Sequence, residues 1–570
     1  MRRDATAVIA VAILLTLTGC TMNHAEPLPT GDVLDVRLDT GPRHDFVDAG
    51  PEGVRVVDGD DWTLPEQVRP AENSGYFSEE ASEDELVAVR SIDVSWRQIQ
   101  PERGGALDRG SSGSAQGMSF DGLDAQLAEP GDFWMRIFAS GEDWAPRWVA
   151  EECGVGTYGP DYDGQSHLPI WDECVWGHLM DTYRALFVDL GLADDPRLRF
   201  VYVPGAFTWA EFDYEMVSDA ADRGDLDEQT YLAWYDHAWT DLVELFGDNA
   251  HKLVFTGEDY PWGPFEAADD LLAVRAVEAG MGIRTGITEP SNFHLSEAPA
   301  YGSHIQPNGH MVVDESLPIH SGRFVVATEN ECFNDCGYET SDPYYAVRQA
   351  NLKALQLRMN WMYVVPGPSF MAEYPEHWDW VRLSLGQTAE TSADAWAALR
   401  DAEDTFWADA GQTGPFEDDG DWPSRPWVRN LERWLVQVDE PGSIAHRTEV
   451  DTHVGELEEA NGTAYEGLST DVASGDTGFM FEVDPRFAAS VSGQAVLKVT
   501  FLDTGSGSFT IDTDAGASAA VERTDSGAWR TATIALEDGA VGEDATSIRI
   551  SLADGSDDLV VRFVRLVRMG

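Results

Sequence analysis

LRFVYVPGAFTWAEF, residues 198–212, decides the fold. Leu198, Phe200, Val201 and Val203 make a short apolar, partly β-branched run broken only by Arg199. A run of that length and composition is a strand buried on both faces, the kind a parallel sheet contains. Pro204 and Gly205 end it, and an aromatic turn then presents Trp209 and Glu211. In a (β/α)8 barrel the working groups sit just past the C-terminal ends of such strands, so Glu211 is a candidate catalytic acid.

The flanking sequence repeats the strand-then-helix rhythm. Strands are expected within 86–96, and at 132–138, 253–255, 283–286, 323–327 and 361–365. Amphipathic helices are expected at 176–190, 229–246, 266–279 and 344–358. Alternation over this length implies a parallel sheet, and seven or eight units favour a closed barrel over an open one. No glycine-rich phosphate loop follows any of these strands, which also disfavours the open nucleotide-binding sheet. After about residue 426 helix signals vanish. Alternating strands at 496–502, 508–512, 529–536, 547–552 and 559–567, with Gly/Asp/Ser turns between them, predict an antiparallel β-sandwich of jelly-roll form. The expected organisation is therefore a (β/α)8 barrel over 64–425 and a sandwich over 426–570.

The N-terminus reads as a targeting segment. Arg2 and Arg3, an apolar run at 5–17 and then Thr18-Gly19-Cys20 make a secretory signal, too short to span a bilayer. Residues 17–20, LTGC, resemble the lipobox of prokaryotic lipoproteins, which would make Cys20 the acylated N-terminus after cleavage of 1–20. The Asp/Gly/Pro-rich segment 21–63 is then a polar tether, and the expected location is the outer face of the cell membrane. The other cysteines, Cys153, Cys174, Cys332 and Cys336, suit an oxidising compartment, and proximity favours the pairs Cys153–Cys174 and Cys332–Cys336. Neither pair has the spacing of a zinc knuckle, and no His/Asp/Glu cluster has metal-ligand spacing, so neither metal nor cofactor is expected.

The formal net charge is −65, from 37 basic against 102 acidic residues, and lysine occurs only at Lys252, Lys353 and Lys498. Such a chain repels nucleic acid and anionic lipid, which leaves membrane association to the lipid anchor. With 43% hydrophobic residues and 20 Trp it is a folded protein and not an acidic disordered one. The charge balance resembles that of proteins from salt-adapted prokaryotes, and folding is expected to be supported by high ionic strength.

A second strand, 323–327, runs straight into Thr328-Glu329-Asn330-Glu331. Two carboxyl groups about 5–5.5 Å apart, one protonated and one ionised, are what retaining glycoside hydrolysis requires. Here the chain resembles a family. WRQIQPERG (96–104) followed by FDGLD (120–124) is similar to the W-x-x-I/L-x-P-x-x-G and F-x-x-L/I-D pattern of clan A glycoside hydrolases, best known from the family 42 β-galactosidases. The strand at 133–137 with Pro146 and Trp148 resembles that clan's third strand and its P-x-W turn, and GAFTWAE (205–211) resembles the fourth-strand G-x-x-G-x-W-G-E type segment of related, poorly characterised barrel proteins. The resemblance covers roughly residues 75–400. It implies Glu211 as acid/base and Glu329 as nucleophile, with Glu331 and Glu258 as competing candidates. Substrate-binding candidates are Arg136, Trp96, Trp144, Trp209, Trp262, Asn330 and Glu331. The indole faces would stack on sugar C–H surfaces, and the arginine would orient a carboxylate or bind a hydroxyl. His294 and His304 lie in the loop after Ile287 and are expected to be structural. Ala210 stands where the clan carries an asparagine, which leaves a second reading open: a glycan-binding lipoprotein on a barrel that has lost its chemistry.

Overall fold

The computed structural model describes residues 45–46, 48–79, 86–115, 117–161, 164–203, 214–256, 262, 265–285, 298–328, 343–365, 369–401, 429–448, 451–457 and 460–569. Eight parallel strands make the barrel: β1 Gly75–Phe77, β2 Val87–Ser95, β3 Phe133–Phe138, β4 Leu198–Tyr202, β5 Leu253–Phe255, β6 Gly282–Thr285, β7 Val326–Thr328 and β8 Trp361–Tyr363. Consecutive strands pair from β1 through to β7, and β8 pairs with β1.

The closing seam between β7 and β8 is made largely by one side chain. Asn360 N donates to Val326 O at 3.0 Å. Its amide oxygen accepts from Val326 N at 2.8 Å and its amide nitrogen donates to Phe324 O at 2.8 Å. The side chain thus stands in for a stretch of strand. Where β6 enters beside β7, a Cβ on Gly282 would come within 2.5 Å of Val325 O, so the close approach needs glycine.

Strand alternation sorts the barrel into two cores. Inward residues Phe77, Trp134, Phe200, Val325 and Trp361 fill the lumen. Outward residues Ile92, Met135, Val201, Ile283 and Met362 pack against the helices. Helix Glu173–Tyr183 follows β3, Glu228–Phe246 follows β4, Phe265–Ala279 follows β5, Pro343–Gln356 follows β7 and Pro375–Ser384 follows β8. Asp172 and Asp227 cap two of them by accepting from the first free backbone N–H groups. Between β6 and β7 the described residues carry a two-stranded hairpin, Ser303–Ile305 with Met311–Val313.

The C-terminal unit is a sandwich of two antiparallel sheets. One runs Val54–Asp58, Trp529–Ala535, Ala495–Leu502, Val560–Arg568, Asp394–Ala398, Leu431–Arg433. The other runs Leu435–Val438, Gly478–Val483, Ser547–Leu552, Ser508–Thr513. Phe481, Leu497, Phe501, Ile511, Ile534 and Ile550 are among the residues between them. Two of these strands come from outside 426–570. Val54–Asp58, in the segment expected as a tether, pairs along its whole length with Trp529–Ala535, and Asp394–Ala398 pairs with Val560–Arg568. The run VRVVD is only five residues long and sits in Asp/Gly-rich sequence, so its pattern is masked by its surroundings.

The next residues stitch sandwich to barrel. Asp60 binds Arg562 at 2.6 Å on one side and the Tyr344 hydroxyl of a barrel helix at 2.7 Å on the other, and Asp61 binds Lys498 at 2.7 Å. Arg348 of the same helix pairs with Glu466. Burial pushes the Asp60 carboxyl up, but Arg562, Arg348 and the Tyr344 hydroxyl outweigh it and hold the pKa at about 2.

Candidate active site

On the C-terminal rim of the barrel the inward positions change from aromatic to charged. Trp134 and Phe200 stack at 5.5 Å, with Phe77 4.9 Å from Phe200. One step further along each strand stand Glu79, Asp93, Arg136, Tyr202 and Arg284. Glu79 follows β1, and its side chain is 1% exposed. Its Oε2 accepts from Arg136 Nη1 at 2.6 Å, and its Oε1 accepts from the Tyr202 hydroxyl at 2.9 Å and Arg284 Nη2 at 3.1 Å. Arg136 Nε donates to Asp93 at 2.9 Å, and its guanidinium lies over the rings of Trp134 and Phe138. Arg284 lies over Tyr202 and Tyr363. Burial disfavours the Arg136 charge, but Asp93 and Glu79 outweigh it and keep the guanidinium firmly protonated.

Five strands therefore contribute to one charged floor. A carboxylate already accepting from three donors holds its neighbours in place rather than attacking a substrate. Asp93 is more open, at 13% side-chain exposure, and its second oxygen accepts from Ser91. Glu79, Ser91 and Asp93, with Phe120 and Asp121, are among the residues lining a cavity of about 760 Å³ that extends along β2 to Glu129 and Asp132 ahead of β3. Sequence reading overlooked Glu79. Its strand is three residues long and opens on glycine, so the same strand-then-acid design went unrecognised in GYFSE.

Of the residues expected from sequence, Arg136 stands in this floor. Trp96 is fully buried in the core outside the barrel wall and donates to Gln100. Trp144 is 1% exposed and packs against Phe138, away from solvent. Burial of both indoles leaves no face for a sugar. The aromatic residue at a strand exit is here the hub of a helix or loop, since each indole buries a large apolar surface. Trp262 is half-buried, 5.3 Å from Tyr231. Glu211, Trp209, Glu258, His294, Glu329, Asn330, Glu331, Cys20, Cys332 and Cys336 lie outside the described residues. His304 is exposed on the hairpin after β6.

Cys153 and Cys174 form a disulfide joining helix Arg147–Cys153 to helix Glu173–Tyr183. Among the described residues these two sulfurs and His178 are the one grouping of metal-type donors, and the sulfurs are bonded to each other. The loop between the helices holds a second polar chain. Ser140 Oγ lies 2.9 Å from His167 Nδ1, and His167 Nε2 lies 2.8 Å from Asp161. All three are buried, and His167 pairs through its backbone with Tyr158 and Gly141. Without solvent access this Ser–His–Asp chain fastens the loop after β3 and reaches no substrate.

No protein-family profile and no curated protein matches the chain. Among solved structures, it is similar to a Paenibacillus sp. cycloisomaltooligosaccharide glucanotransferase complexed with cycloisomaltoheptaose. The identity is 11%, the match covers 87% of this chain and 57% of that one, and the TM-score is 0.25. The chain thus spans little more than half the length of that enzyme, and a likeness this distant carries no argument about activity.

Proposed function

We propose that this protein is a retaining glycoside hydrolase acting on extracellular glycans, with Glu211 as acid/base and Glu329 as nucleophile. The observation that carries the reading is the course of β4 and β7. Both end on the rim that holds the Glu79–Arg136–Arg284 floor, and the chain continues from Tyr202 and Thr328 directly into the two acidic segments. Val325 and Ala327, which precede the second acidic segment, face the lumen. Glu211 would protonate the departing oxygen while Glu329 attacks the anomeric carbon, and Glu211 would then activate water to release the sugar. Arg136 and Arg284, fixed by Glu79, form part of the rim on which β4 and β7 end. The likeness to family 42 in the WRQIQPERG and FDGLD runs supports the same assignment. The LTGC run supports export and anchoring at Cys20; with Cys20→Ser the protein should move from the membrane fraction to the medium.

The two acids act in different steps, so their variants should fail differently. Glu329→Ala should abolish turnover of aryl glycosides, and azide should restore it with inverted product. Glu211→Ala should lose most on substrates with poor leaving groups, since good ones need little protonation. Losses on the order of 10²–10⁴-fold are expected. Glu331→Ala should cost far less. Modest, equal and substrate-independent losses at Glu211 and Glu329 would defeat the assignment and favour a glycan-binding protein.

A further inference from the structure

The opposite end of the barrel carries an inversion of charge. On the N-terminal face, where strands begin, a cleft of about 480 Å³ lies between the entries to β4, β5, β7 and β8. Its lining includes Arg199, His251, Lys252 and Arg323 against a single carboxylate, Glu72. The whole chain has 37 basic and 102 acidic residues, so a lining with three cations and one acid runs against the composition. One of only three lysines is spent here.

Part of this charge has local work. Arg199 is paired with Asp132 at 2.8 Å. Lys252 donates to Ala193 O at 2.7 Å and Asp195 O at 3.1 Å, satisfying the end of the turn Leu192–Asp194 as a cation at a helical C-terminus does. Those carbonyls are neutral, so among the described residues the ammonium charge itself faces no carboxylate at contact, although Asp194 and Asp195 attract it from further off. Arg323 and His251 have no such duty. Arg323 is exposed, and among the described residues its guanidinium contacts His251 Nδ1 at 3.4 Å. That same Nδ1 lies 3.0 Å from Asp248 O. A carbonyl only accepts, so the neutral ring carries its hydrogen on Nδ1, cannot accept from Arg323, and leaves Nε2 bare. Burial lowers the His251 pKa first of all; the Asp248 carbonyl opposes this, and Arg323 and Lys252 push it lower still. The histidine therefore reports a locally positive field within a molecule of net charge −65.

We propose that this cleft binds a small divalent oxyanion, sulfate or phosphate, through Arg323, Lys252 and a protonated His251. Such an anion offers several acceptor oxygens to the Arg323 fork and cancels the mutual repulsion of the three cations. Proton uptake on His251 Nε2 would accompany binding, so affinity rises as pH falls through the histidine range. The site joins the starts of β4, β5 and β7, and occupancy would stabilise the fold in proportion to ligand concentration over Kd. This reading is independent of the proposed activity.

The test uses the full chain in a constant background of about 1 M KCl, where long-range repulsion is screened. Sulfate or phosphate is titrated at low millimolar concentration, with chloride at matched ionic strength as control. The His251 ring proton is followed by NMR across pH and assigned with His251→Gln. The expected result is a saturable rise of the His251 pKa by half a unit or more with at least one oxyanion, and none with added chloride. The thermal midpoint should rise over the same concentration range, and Arg323→Gln, at an exposed position, should abolish both effects. A response to sulfate alone or phosphate alone supports the site and names its ligand. Equal shifts with chloride, or a full response in Arg323→Gln, would overturn the proposal.

Discussion

Glu79 is the residue on which the charged floor turns. It accepts from Arg136, Arg284 and Tyr202 at once, and its removal takes from two buried guanidinium groups a carboxylate that both contact, while Arg136 keeps Asp93. Breaking a buried pair by deleting one partner costs about 3–5 kcal/mol. Glu79→Gln should therefore lower the free energy of unfolding by about that amount in urea melts; a loss under about 1 kcal/mol would mean that water reaches the arginines. His377 gives a second residue-scale expectation. It is buried beside Trp62 at 4.4 Å and 3.1 Å from the Asn351 amide, and the charges of Arg348, Asp60 and Arg565 also act on it. Burial, with help from Arg348, holds its pKa at about 3, against 6.5 for a free histidine. The folded pKa is depressed, so the unfolded chain binds the proton first, and stability is lost as pH falls from about 6.5 towards 3. Between pH 6.5 and 4.5 the site should remove about 2–3 kcal/mol, and His377→Gln should flatten that limb of the stability curve. Asp60, held at about 2, adds a separate loss only below about pH 4. An unchanged slope in the variant would assign the acid limb to other groups.

At the scale of elements the barrel depends on its seam. Asn360 supplies both a donor and an acceptor to β7 through its side chain, and Asn360→Ala would leave the buried Val326 N–H and Phe324 C=O without that partner. Each orphaned group costs about 1–3 kcal/mol, so a loss of about 2–4 kcal/mol is expected, with faster hydrogen exchange at Val326 than elsewhere in the barrel. Uniform exchange would show that the seam does not open first. The sequence is legible where an element's own pattern suffices. Phe133–Phe138 is found within one residue of expectation and Leu253–Phe255 at the residues expected, because fully buried strands are continuous apolar runs. Glu228–Phe246 is found within one residue, because its apolar period is long. Gly75–Phe77 is not legible, since three residues carry no period, and Val54–Asp58 is stabilised by a partner strand nearly 480 residues away. The site follows the same rule. Arg136 is legible as a charge in a buried strand, whereas Glu79 acquires its meaning only when β1 closes against β8. Trp96 and Trp144 lie past strand ends in sequence and in the core in space, which spacing alone does not distinguish.

For the whole molecule, the decisive quantity is where the few cations reside. Arg136, Arg284, Arg400, Arg433, Arg565, Lys353 and Lys498 are all buried. Arg136 and Arg284 neutralise Glu79, Lys498 neutralises Asp61 and Arg565 neutralises Asp394, while Arg433 sits among the backbone carbonyls of Ser384 and Gln387. Each such pair is neutral, so the acidic excess behind the formal −65 is carried outside these interior pairs. Repulsion among exposed carboxylates opposes the compact state and is screened as the Debye length shrinks from about 10 Å at 0.1 M salt to about 3 Å at 1 M. The interior pairs, including Asp60–Arg562 and Asp61–Lys498 at the junction of barrel and sandwich, are shielded from that screening. Salt should therefore relieve the surface without loosening the junction. The thermal midpoint should climb as KCl is raised from low to molar concentration, with most of the gain below about 1 M, and barrel and sandwich should melt together throughout. Following Trp fluorescence and far-ultraviolet circular dichroism in parallel tests both parts. A midpoint indifferent to KCl would mean that the surface repulsion is already balanced. Two separated transitions at high salt would mean that the junction pairs are exposed to solvent after all.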